Sequence, residues 1–327
     1  MSETIRFGIL GFGNHASRVM AKAFQEAHSA SVGAIATRSR ERAEEVQKAF
    51  PQATIYTDFN ELLADRNLDA IYIALPNHLH FEWVIAALKC RKHVLCEKPL
   101  ATHFEQAVVM KEAVEESGCK LAEGFMYRFH PQHAEVKRLL SRQMIGELRL
   151  LEVHLHYTLE NRTDIRAMAQ GGGGLLDVGC YGIDCAHFLF EDSPVQASGS
   201  WTIDRELGID ECAVFQLLFP GGRVAHITCG CRLPRENRYS LYGSLGSLTL
   251  PSAFLIPRNK SATILLSTTE ENGLPIAIPP ANQFVLEIDH FVRLVRGEPI
   301  PEGLFSDWFA NARVLEMVRS ALLTGGE

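Results

Sequence analysis

A chain of 327 residues, 46% hydrophobic and 22% charged, buries an ample core without staples and fits about two domains by length. Its net charge of −7, with basic residues scattered, excludes a nucleic-acid or polyanion-binding surface. No apolar run approaches the roughly 18 residues of a membrane span, and the eight cysteines include no Cys-x-x-Cys pair. No signal peptide, no membrane contact, no metal site and a reducing, cytoplasmic setting are therefore expected.

The first part of the chain alternates strand and helix patterns. An apolar run at 6–10 ends at Gly11, and residues 15–27 follow with helical spacing. Strand-like runs at 32–36, 70–75, 93–96 and 120–123 are separated by helical segments at 40–50, 81–88 and 104–116. Strands and helices at this spacing imply right-handed crossovers and a doubly wound parallel sheet. The predicted fold class is α/β, with a Rossmann domain over residues 1–123.

The pattern changes after residue 123. Residues 147–157, 197–203, 212–219 and 224–231 read as longer alternating strands, with Pro220-Gly221-Gly222 as a hairpin turn. Residues 238–242 and 247–250 continue the pattern, and the proline-containing stretch 274–280 reads as a surface loop. Phe284, Ile288, Phe291, Val292 and Val295 mark an amphipathic helix, and residues 308–323 another. An α+β domain over residues 124–327 is expected, built on a large, mostly antiparallel open sheet. Leu217, Phe219, Ala225, Ile227 and Cys229 alternate with Val214, Leu218 and Val224, so both sheet faces carry apolar side chains. That predicts a homodimer or homotetramer.

Gly11-Phe12-Gly13-Asn14-His15-Ala16 is Gly-x-Gly-x-x-Ala between a strand and a helix. Gly11 permits the tight turn, Gly13 lets the backbone approach a pyrophosphate, and the helix N-terminus offers free N–H groups. Where an acid would accept bonds from an adenosine ribose, the second strand ends in Thr37-Arg38-Ser39-Arg40, with Arg42 beyond. A hydroxyl and a guanidinium suit a 2′-phosphate, so NADP(H) is preferred and NAD(H) remains possible. Pro76, Asn77 and His80 follow the 70–75 strand, where they can line the pyrophosphate or the nicotinamide ribose; His78 reads as readily as part of a plain turn.

Glu97-Lys98-Pro99 ends the run at 93–96. A lysine at the inner end of a buried strand lies where a parallel sheet presents residues to a ligand, and its charge there is used or paired. Further on, Gly171-Gly172-Gly173-Gly174 leads into a helical pattern in which Asp177 and Tyr181 are four apart and share a face. Tyrosine is a weak acid whose anion an adjacent ammonium stabilises, so the pair can handle a proton; taken alone, a buried tyrosine with a satisfied hydroxyl is the commoner case.

These motifs, in this order and over nearly the whole chain, resemble the Gfo/Idh/MocA oxidoreductases. Tyr181, together with Arg128, His130 and Pro131 beyond the 120–123 strand, resembles the branch of dihydrodiol dehydrogenases, glucose–fructose oxidoreductase and NADP-dependent xylose dehydrogenases. The resemblance implies hydride transfer between NADP(H) and a sugar, polyol or trans-dihydrodiol. It implies that Lys98 holds the substrate hydroxyl, Tyr181 is the acid/base and Asp177 orients the substrate and Lys98. Arg128, His130 and Arg166 are candidate substrate contacts, with structural support as the other reading for Arg128 and His130. Asp184 reads as helix support, and His154 or His156 could point into the site. The resemblance also implies subunit contact through the exposed face of the second sheet. Relatives that sense nucleotide without turnover, and NAD-dependent glycosidases, are the alternatives.

Overall fold

The computed structural model describes residues 4–324. They form two compact units, one running to Met126 and resuming over Asn282–Trp308, the other holding Tyr127–Ala281 and resuming at Phe309.

In the first unit the elements are β1 (Ile5–Leu10), α1 (Ala21–Glu26), β2 (Ala30–Ala36), α2 (Arg40–Ala49), β3 (Thr54–Tyr56) and α3 (Phe59–Ala64). They continue with β4 (Ala70–Ile73), α4 (His80–Lys89), β5 (His93–Glu97), α5 (Phe104–Ser117) and β6 (Leu121–Gly124). The six strands pair in the order β3-β2-β1-β4-β5-β6, all parallel, so the sheet reverses its winding between β1 and β4. β4 is buried along its whole length, as a strand covered on both faces must be. The expected parallel sheet is present.

The second unit holds α6 (Pro131–Ser141), β7 (Leu148–Thr158), α7 (Cys180–Phe190), β8 (Gln196–Asp204), β9 (Ile209–Leu218) and β10 (Val224–Gly230). β11 (Arg232–Gly243), β12 (Gly246–Leu250), β13 (Ala262–Thr268) and β14 (Leu274–Ile278) complete its eight-stranded sheet, ordered β14-β13-β12-β11-β7-β10-β9-β8. Only β7 and β10 run parallel. Gly221 and Gly222 both take positive φ in the expected hairpin turn. The last helices are α8 (Gln283–Val295) and α9 (Trp308–Thr324).

Two expectations change. Residues 274–278 are an edge strand rather than a surface loop, because Pro275 at an edge interrupts no second ladder. Residues 282–308 do not continue the second unit. The apolar face of α8, with Ile288, Phe291 and Val292, packs into the first core beside Phe7, Phe24 and Tyr72.

In the second sheet, Leu151, Val153, Leu155, Phe215, Leu217 and Ile227 are buried on one face. Close approach explains Gly182 on α7: a Cβ there would lie 2.6 Å from an Ile227 methyl. The opposite face is mixed rather than apolar throughout. Glu152, His154, His156, His226 and Gln216 share it with Val214, Leu218 and Val224. Among the described residues no helix is long and apolar enough to cross a membrane, and the cysteines form no disulfide.

Candidate active site

The glycine turn follows β1 at the point where the sheet reverses. Gly11 has φ +85°, and a Cβ there would meet the Ala74 carbonyl oxygen at 2.7 Å, so only glycine fits. Gly13 is exposed and a Cβ on it would touch nothing within 4 Å, which leaves open space over the backbone where a pyrophosphate would lie. Phe12 is buried beneath the turn, and Asn14 and His15 are exposed on it. The helix beyond opens with a π-helical turn, Ala16–Met20, before α1 begins.

Basic groups border this turn. Arg38 is exposed, its guanidinium 5.7 Å from the Phe59 ring centroid. Arg42 reaches back to donate to Asn14 Oδ1 at 2.7 Å, and thus joins the end of β2 to the glycine turn. Thr37 is buried and its hydroxyl accepts from the Ser39 N–H, while Ser39 caps α2.

Lys98 lies half-buried just past β5, on the same carboxyl edge of the sheet as Gly11. Its neighbour Glu97 accepts from the Tyr72 hydroxyl at 2.6 Å and pairs with His15 Nε2 at 3.1 Å. Burial works to raise the Glu97 pKa, but His15, Tyr72 and Lys98 outweigh it and hold the carboxyl at about 2. Glu287, from α8, is wholly buried, and burial with the Glu97 charge pushes its pKa well up. The two carboxyls are thus driven in opposite directions, Glu97 toward the charged form and Glu287 toward the neutral one.

The expected ligand contact from His80 is replaced by a structural one. Its ring is buried, with Nδ1 2.8 Å from the Pro99 carbonyl and Nε2 2.9 Å from that of Leu75. It laces the exit of β4, where Pro76 and Asn77 are half-buried, to the Lys98-Pro99 turn. Glu123 does similar work from β6, accepting the Leu100 N–H at 2.8 Å. Nothing in the local sequence marked Glu123 for this.

In the second unit the glycine loop is packed closely against backbone and the Asp210 side chain. A Cβ on Gly172 would lie 2.3 Å from the Arg166 carbonyl oxygen. Gly173, with φ +96°, would meet Asp210 Oδ1 at 2.2 Å. Asp210, buried on β9, accepts the Leu175 N–H at 2.6 Å. Burial raises its pKa to about 6 against the pull of the loop N–H groups. The loop passes into a second π-helical turn, Leu175–Gly179, which carries Asp177 into α7 and Tyr181. Both motif-bearing segments therefore open with a widened turn, a feature common at functional sites.

Tyr181 is buried, its ring 5.9 Å from that of Tyr127 and 5.5 Å from that of Phe254. Asp177 is half-buried and accepts the Tyr157 hydroxyl at 2.5 Å. The Arg166 guanidinium lies 5.1 Å from the Tyr157 ring centroid and is bound by Asp164 at 2.8 Å and 3.0 Å. Arg166 is thus brought beside Asp177, with Tyr157 between them as a residue the sequence did not single out.

Four other candidates are placed elsewhere. Arg128 is buried, donating from Nε and Nη2 to Asp184 at 2.8 Å and 2.9 Å, so its guanidinium serves the fold rather than a substrate. His130 is buried as the N-cap of α6, and desolvation lowers its pKa to about 4. His154 and His156 lie on the sheet face opposite Leu155, away from the side that faces α7. Asp184 supports its helix, as expected.

Comparison with known proteins places this geometry. Residues 5–125 match the family model of the NAD-binding Rossmann fold oxidoreductases named GFO_IDH_MocA, and residues 133–249 match the C-terminal domain of the same family. The NADP-dependent D-xylose 1-dehydrogenase 2 of Haloferax volcanii is 30% identical over 321 residues, covering 98% of each chain. The dTDP-3,4-didehydro-2,6-dideoxy-alpha-D-glucose 3-reductase of Actinomadura kijaniata is 31% identical over 98% of this chain and 96% of its own. A crystal structure of a 3-ketoreductase from Actinomadura kijaniata with NADP and TDP-benzene superimposes with a TM-score of 0.89 at 29% identity, covering 99% and 98%. A glycine turn at the sheet reversal, a lysine just past β5, and Asp177 and Tyr181 on successive helical segments thus accompany similarity along the whole chain, which belongs to the Gfo/Idh/MocA oxidoreductase family.

Proposed function

We propose that the chain is an NADP(H)-dependent oxidoreductase that interconverts a secondary alcohol or hemiacetal carbon with its carbonyl, in a sugar, polyol or trans-dihydrodiol. The observation that carries this reading is Lys98, a half-buried ammonium on the carboxyl edge that also holds the glycine turn. The open backbone at Gly13 and the basic border of Arg38 and Arg42 suit a phosphorylated dinucleotide. Gly11, Phe12, Gly13, Asn14 and His15 would cradle it. Thr37 and Arg38 would take its 2′-phosphate, and Pro76, Asn77 and Glu97 would shape the nicotinamide side.

The nicotinamide supplies or accepts the hydride when bound. In oxidation Tyr181 takes the hydroxyl proton as the hydride leaves carbon; in reduction it returns that proton to the new alkoxide. Lys98 holds the reacting oxygen and stabilises the tyrosinate, and Asp177 orients the substrate through a neighbouring hydroxyl. Absorbance of reduced nicotinamide, followed with NADP⁺ or NADPH against aldoses, inositols and dihydrodiols, tests the reading. Turnover with one of these classes is the expected result. Cofactor binding with no turnover across the panel would leave a nucleotide-sensing role, and glycoside cleavage with no net change in NADPH would indicate a glycosidase.

Cofactor choice gives a second expected result. A charge-assisted guanidinium–phosphate contact is worth about 1.5–3 kcal/mol, or roughly ten- to hundredfold in affinity. Arg38→Ala should weaken NADP(H) by that factor and barely change NAD(H). Thr37→Asp should go further by repelling the phosphate. Fluorescence titration of both cofactors checks this, and equal losses for the two would mean that Arg38 only stacks on adenine.

A further inference from the structure

We infer that Tyr157 is a positioning residue of the reaction, donating its phenol to Asp177 so that the carboxylate is fixed in one orientation toward the substrate. The inference rests on the reading above, which places Asp177 against substrate. It deepens that reading by naming what holds Asp177.

The geometry is specific. Tyr157 is the last inward-pointing residue of β7, and its ring packs beside Leu159, Ala167, Ile209 and Cys231. With the ring fixed there, its hydroxyl reaches Asp177 Oδ2 at 2.5 Å, a distance typical of an O–H donor to an ionised acceptor. The Asp177 backbone is already held, its N–H donating to the Gly173 carbonyl at 3.0 Å. The Tyr157 hydroxyl restricts the torsions of the Asp177 side chain. Tyr157 is half-buried, and its phenol takes as partner the carboxylate four residues before Tyr181.

The charges around Asp177 favour this division of roles. Burial, then the Asp177 charge and hydrogen bond, push the Tyr157 pKa well up, so it remains a donor and does not rival Tyr181 as acid/base. Arg166, beyond the ring, keeps its cation near Asp177, although Asp164 shares it. From β9 the loop meets Asp210, and from the end of β10 it meets Cys231, whose thiol burial holds up at about 11. Tyr157 thus presents a donor to Asp177 from β7, and Arg166 adds the nearby positive charge.

The test is Tyr157→Phe, which keeps the ring and removes the hydroxyl. Carboxyl-carbon NMR of the substrate-free protein should show the Asp177 titration moving up by about one pH unit, the scale of one charge-assisted hydrogen bond. With the substrate identified by the panel, KM should rise about tenfold, the scale of one lost orienting contact, while kcat and NADP(H) affinity change little. An unmoved carboxyl titration would overturn the inference, whatever the activity. So would a lowered melting temperature with KM unchanged, since the phenol would then serve only the fold. Asp177→Asn separates the two layers: if it keeps wild-type activity, the reading of the site fails, whereas a large loss there beside an inert Tyr157→Phe removes Tyr157 alone.

Discussion

Exchanging Lys98 for methionine or Tyr181 for phenylalanine is expected to lower kcat by about 10²–10⁴-fold, the loss typical of a positioned acid or base. The two exchanges isolate the chemistry because each preserves shape. Phenylalanine at 181 retains the ring contacts to Tyr127 and Phe254. Methionine at 98 retains an unbranched stem while removing the ammonium. A phenol with an ordinary pKa near ~10 yields little anion at neutral pH unless a cation lies beside it. On the proposed mechanism the two groups act as one device, and the double variant should be scarcely worse than the poorer single one. NADP(H) affinity should be nearly unchanged in both, since neither group is assigned to the phosphates. Steady-state kinetics with cofactor titration reads all of this. Full activity in Tyr181→Phe would take tyrosine out of the mechanism and leave Lys98 or a histidine as the acid.

What was legible in the sequence follows from how local each feature is. The glycine turn, the lysine after the 93–96 run and the helical spacing of Asp177 and Tyr181 are each contained in a few residues. The reason for the glycine turn survives in the structure, as Gly11 with its positive φ shows, whereas the π-helical turn over Leu175–Gly179 alters the i,i+4 spacing from which Asp177 and Tyr181 are read. His80 reads as a site residue because polar groups beside strand ends usually meet ligands, and Arg128 through the family resemblance. Their partners, Asp184 and the carbonyls of Leu75 and Pro99, come from elsewhere in the fold and take up those groups first. Tyr157 was missed for the converse reason: its partner lies twenty residues on, across an irregular loop. A signal was there to use, since the alternation of β7 places 151, 153, 155 and 157 on one face, and a phenol on a buried face needs a partner. Residues 282–308 show a different limit. The amphipathic pattern of α8 predicts a helix with an apolar face but carries no information on which core receives it.

Arg128→Met is expected to cost about 3–5 kcal/mol, the usual penalty for breaking a buried ion pair from one side. Asp184 is wholly buried and receives four donors: Nε and Nη2 of Arg128, the Tyr127 hydroxyl at 2.5 Å and the Asn311 amide at 2.9 Å. Removing the guanidinium leaves a buried carboxylate with neutral donors only. The cation also lies 4.6 Å from the Phe188 ring centroid, a contact that methionine replaces in part. Arg128→Met with Asp184→Leu should recover some of the loss, because no charge is then stranded. Recovery stays incomplete, as the Tyr127 hydroxyl and the Asn311 amide lose their acceptor. Urea unfolding of the four proteins measures the cycle. Because the pair anchors α7, which carries Tyr181, the single variant should lose activity by unfolding at lower temperature while its KM in the cold stays close to wild type. A KM raised a hundredfold in a variant of unchanged stability would return Arg128 to the substrate site and refute its role as a buried support.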